Sequence, residues 1–279
     1  MSDILEIKRP PHFDLDKIFD CGQSFRFEKG EDGVWEGVAY GRVLRASQDG
    51  EHVYLNCTKD EYEKLWRRYL CLDADYDVIN ADIKEHFRYG VIDDAMKAGD
   101  GIRILRQEPW ETLCSFIISQ NNNIPRIKSL ISAVCASYGE KFTYDGKAYY
   151  AFPTPEALLS AGEEGLKALK TGFRAGYLIS AAEHCVNGLD LCRIRDEYTY
   201  DEGLKELCGI KGVGPKVASC TLLFALDKTG AFPVDVWIKR TMERFYGDLD
   251  HSRFGDYPGL AQQYLFYHSR YLEKISEEK

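Results

Sequence analysis

The spacing of apolar residues changes once along this 279-residue chain, near residue 100, and that change constrains the fold more than any other feature. Between Gln23 and Thr58 the pattern is short and alternating: Ser24–Phe27, Val34–Tyr40, Arg42–Arg45 and His52–Cys57, broken by the glycines at 30, 33, 41 and 50. Alternation sends successive side chains to opposite faces of a strand, so these segments predict an antiparallel meander with one buried face. Helical patterns follow over 59–70 and 82–98. From Gly101 onward, apolar residues recur every three or four positions in Glu108–Gln120, Ile124–Tyr138, Arg174–Val186 and Lys216–Leu226. Thr154-Pro155 is a helix start, a cap followed by proline at the first helical position. Pro233-Val-Asp opens a further helix through Tyr246, and the last runs Tyr257–Ile275. The expected fold is α+β, with an N-terminal antiparallel sheet domain carrying helices over 1–100 and an all-helical domain over 101–279.

Charge divides at the same point. Residues 1–100 hold 14 basic and 22 acidic side chains and residues 101–279 hold 22 and 23, which together give the net charge of −9. An acidic whole excludes a protein that coats nucleic acid over its entire surface, but leaves room for a local basic face. Nine cysteines at 21, 57, 71, 114, 135, 185, 192, 208 and 220 include no C-x-x-C pair, which argues against a zinc knuckle or redox dithiol. Unpaired thiols in apolar settings such as Cys135 and Cys220 point to a reducing compartment. Met1–Pro10 has no signal-peptide core, and no apolar run reaches the roughly 20 residues that span a bilayer. A soluble intracellular protein, cytoplasmic or nucleoid-associated in a bacterium, with no membrane partner is expected.

The segment Leu207-Cys-Gly-Ile-Lys-Gly-Val-Gly-Pro-Lys-Val-Ala-Ser-Cys220 carries the most chemistry. One helix ends near Cys208, Gly212-Val-Gly214 makes a tight turn, and Pro215 starts the next helix. Glycines at a helix start let backbone N–H groups approach a phosphate, although a plain helix–helix corner has the same need. Lys216 falls in the first turn of the new helix, where the positive dipole end disfavours an ammonium. Partial desolvation there would favour the neutral amine that a nucleophile requires, whereas a solvated lysine would do no chemistry. Nineteen residues on, Asp235 follows Phe232-Pro-Val. It reads either as a helix cap or as a carboxylate able to stabilise an oxocarbenium-like sugar carbon.

G-V-G-P-K followed by P-V-D resembles the helix-hairpin-helix DNA glycosylases. Together with Gly22-Gln-Ser-Phe-Arg-Phe27, Ser119-Gln-Asn-Asn-Asn-Ile-Pro-Arg126 and Leu260-Ala-Gln-Gln-Tyr-Leu-Phe266, it resembles their 8-oxoguanine DNA glycosylase/AP lyase branch, from about residue 13 to about 270. The resemblance implies a base-excision repair enzyme acting as a monomer on double-stranded DNA containing 8-oxoguanine opposite cytosine. It implies Lys216 as the nucleophile forming a Schiff base for β-elimination, with Asp235 stabilising the cationic sugar. The flipped base would be bound by Gly22, Cys220, Pro233, Asp235, Gln262 and Phe266. A backbone carbonyl at Gly22 rewards the N7–H that guanine lacks. Asn121, Asn123, Arg126, Phe173, Arg174, Gly212 and Gly214 would contact DNA. Asn121 enters the vacated stack, Phe173 is a wedge in place of the Tyr many members carry, and Arg126 and Arg174 read the orphaned cytosine. No cofactor is required; carbonyls of Cys208, Ile210 and Val213 are implied to hold a structural cation.

Two residues depart from the pattern: Trp237 stands where eukaryotic members typically carry His, and Lys211 where an apolar residue or Pro is usual. The absence of cysteine beyond 220 separates the chain from the iron–sulfur branch. Two other readings stay open, a glycosylase for alkylated bases and a hairpin module that only binds DNA. Lys216 argues against the first, because monofunctional alkyl-base members lack it.

Overall fold

A computed structural model describes residues 4–86, 90–247 and 255–277, with side chains through Arg270. Strands β1 (Leu5–Lys8), β2 (Phe27–Lys29), β3 (Trp35–Ala39), β4 (Arg42–Gln48) and β5 (His52–Leu55) form one antiparallel sheet in the order β1-β5-β4-β3-β2. Strands β2 to β5 are the expected meander. The edge strand β1 went unread because its alternation lasts only four residues. Phe27, Trp35, Leu44, Val53 and Leu55 bury one face of the sheet against Phe19 of α1 (Leu15–Asp20) and against Trp66 and Tyr69. Those two aromatics lie on the helical stretch 59–69, which passes through a π-helical turn at Tyr62–Trp66.

Among the described residues eleven helices follow: α2 (Tyr76–His86), α3 (Ile92–Gly99), α4 (Pro109–Ser119), α5 (Ile124–Tyr138), α6 (Pro155–Ala168), α7 (Arg174–Val186), α8 (Leu191–Glu197), α9 (Tyr200–Cys208), α10 (Pro215–Ala225), α11 (Val236–Phe245) and α12 (Pro258–Glu277). The single helix expected over 82–98 is two, α2 starting earlier and α3 starting at Ile92; residues 87–89 between them lie outside the described residues. The helical half also contains a hairpin, β6 (Lys141–Tyr144) and β7 (Lys147–Tyr150), turned at Asp145-Gly146 with both residues at positive φ. Asp-Gly between alternating aromatics is a hairpin signal that was present and unread. Tyr149 Oη and Lys147 Nζ on this hairpin donate to the Glu36 carboxylate on β3, which docks it on the sheet.

Among the described residues burial is organised around three cores. The first is the sheet core. The second centres on α4 and α10, where the Phe116 and Phe224 rings stack at 5.4 Å. In the third, α12 returns across the chain so that Leu260, Tyr264 and Leu265 pack with Tyr76, Ile83 and Met96. Where sheet and helices meet, Arg26 Nη1 donates to Glu111 Oε2 at 3.2 Å and Arg26 Nη2 to the Tyr150 carbonyl. Burial pushes the Glu111 carboxyl up to about 7, against the pull of Arg26. Among the described residues no helix is long and apolar enough to cross a membrane, and all nine cysteines are free thiols.

Candidate active site

Helix α9 starts with a reciprocal capping box between Thr199 and Glu202 and ends at Cys208. The chain then turns through Gly212, at φ +88°, where a Cβ would lie 2.1 Å from the Tyr177 ring. Only glycine meets both demands. Gly214 is the N-cap of α10, which has no side-chain cap, and nothing lies within 4 Å of the position a Cβ would take there. Open N–H groups at the start of an eleven-residue helix suit an anion.

Lys216 stands in the first turn of α10, half-buried, its Nζ 5.2 Å from the centroid of the Phe116 ring. One turn on, Cys220 is buried; burial pushes its thiol pKa up, while the hydrogen-bonded Lys216 amine opposes that and the Asp235 carboxylate adds to it. The three groups therefore converge. Asp235 is the N-cap of α11, its Oδ1 accepting the Ile238 N–H at 2.8 Å. Capping occupies one of the two Asp235 oxygens and leaves the other for a second partner. Pro233 is buried just before it. Phe116 had no place in the sequence reading, because an aromatic on an apolar helix face reads as core.

A second group is built from Gly22 and α12. Gly22 has φ +83°, and a Cβ there would sit 3.3 Å from Phe266 Cε1 and 3.7 Å from Ile124 Cδ1. Gln262 lies one turn before Phe266, is buried, and accepts at Oε1 from Gln263 Nε2 at 3.1 Å. Phe25, three residues after Gly22, meets Phe116 edge-on at 5.6 Å, which links this group to the ring under Lys216.

A third group surrounds the turn between α4 and α5. Asn121 is exposed at φ +49°, a left-handed conformation Asn tolerates. Asn123 caps α5 by accepting the Arg126 N–H at 3.0 Å, and Arg126 itself is exposed. Phe173 is 51% exposed whereas Arg174 is buried at 5%. Arg174 Nε and Nη2 donate to the Gln120 carbonyl, Nη2 also to Asn121 O at 2.9 Å, and Nη1 to Thr171 O at 3.2 Å. Its guanidinium sits 4.5 Å over the Phe173 ring. Desolvation and then the Arg126 charge lower the Arg174 pKa, so the two guanidinium groups are near neighbours. The sequence treated these arginines as equivalents; the structure has one exposed and the other committed to holding the Asn121 turn. Gln120, also unread, donates to the Gly212 carbonyl at 3.0 Å and so couples this turn to the hairpin.

Among the described residues no group of three or more His, Cys, Asp or Glu could hold a metal. In the hairpin, the Ile210 carbonyl accepts the Val213 N–H at 3.0 Å and keeps a second lone pair; carbonyl oxygens are the donor type a hard cation takes.

Residues 6–113 match the family model for the 8-oxoguanine DNA glycosylase N-terminal domain, and residues 114–253 that for the HhH-GPD superfamily of base excision DNA repair proteins. Fold and hairpin thus define a base-excision DNA glycosylase of the helix-hairpin-helix class. The N-glycosylase/DNA lyase of Saccharomyces cerevisiae is 33% identical over 314 aligned positions, spanning 90% of this chain and 82% of the yeast protein. The 8-oxoguanine glycosylase/lyase of Clostridium acetobutylicum, solved with double-stranded DNA containing cytosine opposite 8-oxoguanine, superposes with a TM-score of 0.89 at 37% identity, covering 98% of this chain and 100% of that one. A 3-methyladenine DNA glycosylase from Archaeoglobus fulgidus shares the fold at a TM-score of 0.75 and 22% identity, over 96% of this chain and 99% of that one. The chain belongs to the 8-oxoguanine DNA glycosylase family of N-glycosylase/DNA lyases.

Proposed function

We propose that this protein flips 8-oxoguanine, paired with cytosine, out of duplex DNA, excises it, and cleaves the abasic strand through a Schiff base on Lys216. Base flipping is required because the sugar carbon is inaccessible inside the stack. The Lys216 amine attacks C1′ through its nitrogen lone pair as the bond to N9 breaks, and the departing base takes up the proton that the alkylated nitrogen releases. Asp235 stabilises the positive charge that develops on the sugar. Ring opening gives a protonated imine; loss of a C2′ proton then expels the 3′ phosphate. The observation that carries this reading is that Lys216 and Asp235, at the starts of two helices behind an open hairpin, both act on the buried Cys220.

Gly22 supplies the carbonyl that accepts the lesion's N7–H. Gln262 pairs with its Watson–Crick edge, Phe266 stacks on it, and Cys220 and Pro233 line the pocket. Arg126 reads the orphaned cytosine with most of its donors free, and Arg174 adds the single Nη1 donor that Thr171 leaves over. Phe173 wedges the duplex, Asn121 fills the vacated space, and Asn123 lies beside the DNA while capping α5. Gly212 and Gly214 present the hairpin to phosphate. A cation on the carbonyls of Cys208, Ile210 and Val213 would add positive charge at that phosphate. The protein acts as a monomer inside the cell. Single-turnover assays on duplexes carrying 8-oxoguanine opposite cytosine, or 3-methyladenine, test the reading. Base release with strand nicking on the first and none on the second is expected; release of the alkylated base alone would overturn it.

A further inference from the structure

Gln23 is 1% exposed and takes no part in the chemistry above, yet each of its polar side-chain atoms is occupied. Its Nε2 donates to Ile18 O at 3.0 Å and to Arg103 O at 2.8 Å, with Cys21 Sγ at 3.2 Å. Its Oε1 accepts the Leu105 N–H at 2.9 Å. Its backbone carbonyl accepts Gln107 Nε2 at 2.8 Å. Reversing the amide would set donor against donor at Leu105 and acceptor against acceptor at Ile18 and Arg103, so a single orientation is held. The peptide that carries the Gly22 carbonyl ends at the Gln23 nitrogen. Gly22 itself, at φ +83°, can swing widely and has no side chain to hold it. Whatever fixes Gln23 therefore fixes the direction of that carbonyl.

We propose that Gln23 is the positioning residue for lesion discrimination: it clamps the Gly22–Gln23 peptide to the 103–107 segment so that the Gly22 carbonyl is aimed at N7 of the flipped base before the base arrives. A pre-aimed acceptor separates N7–H from a bare N7 lone pair, whereas a mobile one turns away from the lone pair and loses the distinction. The same segment leads directly into α4, which carries Phe116 and is followed by its C-cap Gln120, so base reading and the Lys216 site share one strut. The proposal rests on Gly22 reading N7.

The test uses the full-length protein and duplexes carrying non-excisable 2′-fluoro-8-oxoguanosine or 2′-fluoroguanosine opposite cytosine. Gln23→Met keeps the volume and removes every hydrogen bond its side chain makes, the one to Cys21 Sγ included; Gln107→Met removes only the anchor on the Gln23 carbonyl. Gln23→Met is expected to reduce the 8-oxoguanine-over-guanine binding ratio about tenfold, and Gln107→Met by less. Nicking of a preformed abasic site, which needs no base reading, should stay within about twofold of wild type for both, as no catalytic contact is touched. Undiminished discrimination in folded Gln23→Met, or a parallel loss of abasic nicking, overturns the proposal. If Gln23→Met fails to fold, the ratio measured for Gln107→Met decides. Wild type binding both duplexes equally would instead sink the Gly22 reading on which the proposal rests.

Discussion

The amine pocket and the α4–α5 turn are built in opposite ways. At the pocket, Lys216 and Asp235 sit on the first turns of α10 and α11, and the backbone that holds them is largely buried in two cores. At the turn, the side chains that would meet DNA are exposed: Asn121, Arg126 and Phe173 face solvent, held from below by the buried Arg174. On the proposed reading, bond-making depends on fixed geometry, which helix starts provide. Groups that enter DNA must be free to desolvate against it, so only their support is buried. Substitutions in the pocket should therefore remove chemistry with binding left intact, and substitutions at the turn should change which duplexes are processed.

The sharpest separation comes from Lys216→Gln. It should abolish base release and nicking while lesion-DNA affinity stays near wild type; full activity in the purified variant would remove the covalent mechanism. Asp235→Asn should slow base release by roughly a hundredfold or more, the scale of losing one electrostatic stabiliser. Thermal melting should barely move, since Asn caps nearly as well as Asp. A collapse of melting temperature with the rate preserved would make Asp235 a cap alone.

At the turn, the two arginines should part company. Arg126→Ala should narrow the preference for cytosine opposite the lesion by about 5- to 150-fold, equivalent to roughly 1–3 kcal/mol for a base-reading contact. Arg174→Ala should release the Gln120 and Asn121 carbonyls and lower excision more evenly opposite all four bases. Single-turnover rates opposite each base measure both. Equal losses across the four partners for Arg126→Ala would make it a phosphate anchor.

The smallest expected effect lies beneath both regions. The Glu111 carboxyl, raised to about 7 from 4.5 by burial, holds its proton more tightly in the folded protein. Its contribution to stability is full below 4.5 and is lost as pH rises through about 7. Denaturant midpoints measured across that window should fall less with pH in Glu111→Gln than in wild type. An identical slope would show that Arg26 keeps the carboxylate charged throughout.

The meander and the long helices were legible because their periods are strong, and the hairpin because Gly-Val-Gly-Pro dictates a turn before a helix. The asymmetry between Arg126 and Arg174 was not, since burial and backbone partners depend on the Gln120–Asn121 turn, more than fifty residues upstream of Arg174. Gln23 escaped for the same reason: its partners Arg103 and Leu105 lie some eighty residues away. Asp235 was readable as a cap or as a catalytic carboxylate; the structure shows the cap, and its electrostatic contact with Cys220 leaves the proposed catalytic role compatible with it.

The central claim is that the Lys216 amine forms the covalent bond to DNA. Incubating the protein with a duplex carrying 8-oxoguanine opposite cytosine in the presence of borohydride, then mapping the reduced adduct by peptide mass, tests it directly. The account predicts one protein–DNA adduct, located on the peptide containing Lys216 and absent from Lys216→Gln. An adduct on another lysine, or base release from the wild-type protein with no trapped species, would contradict it.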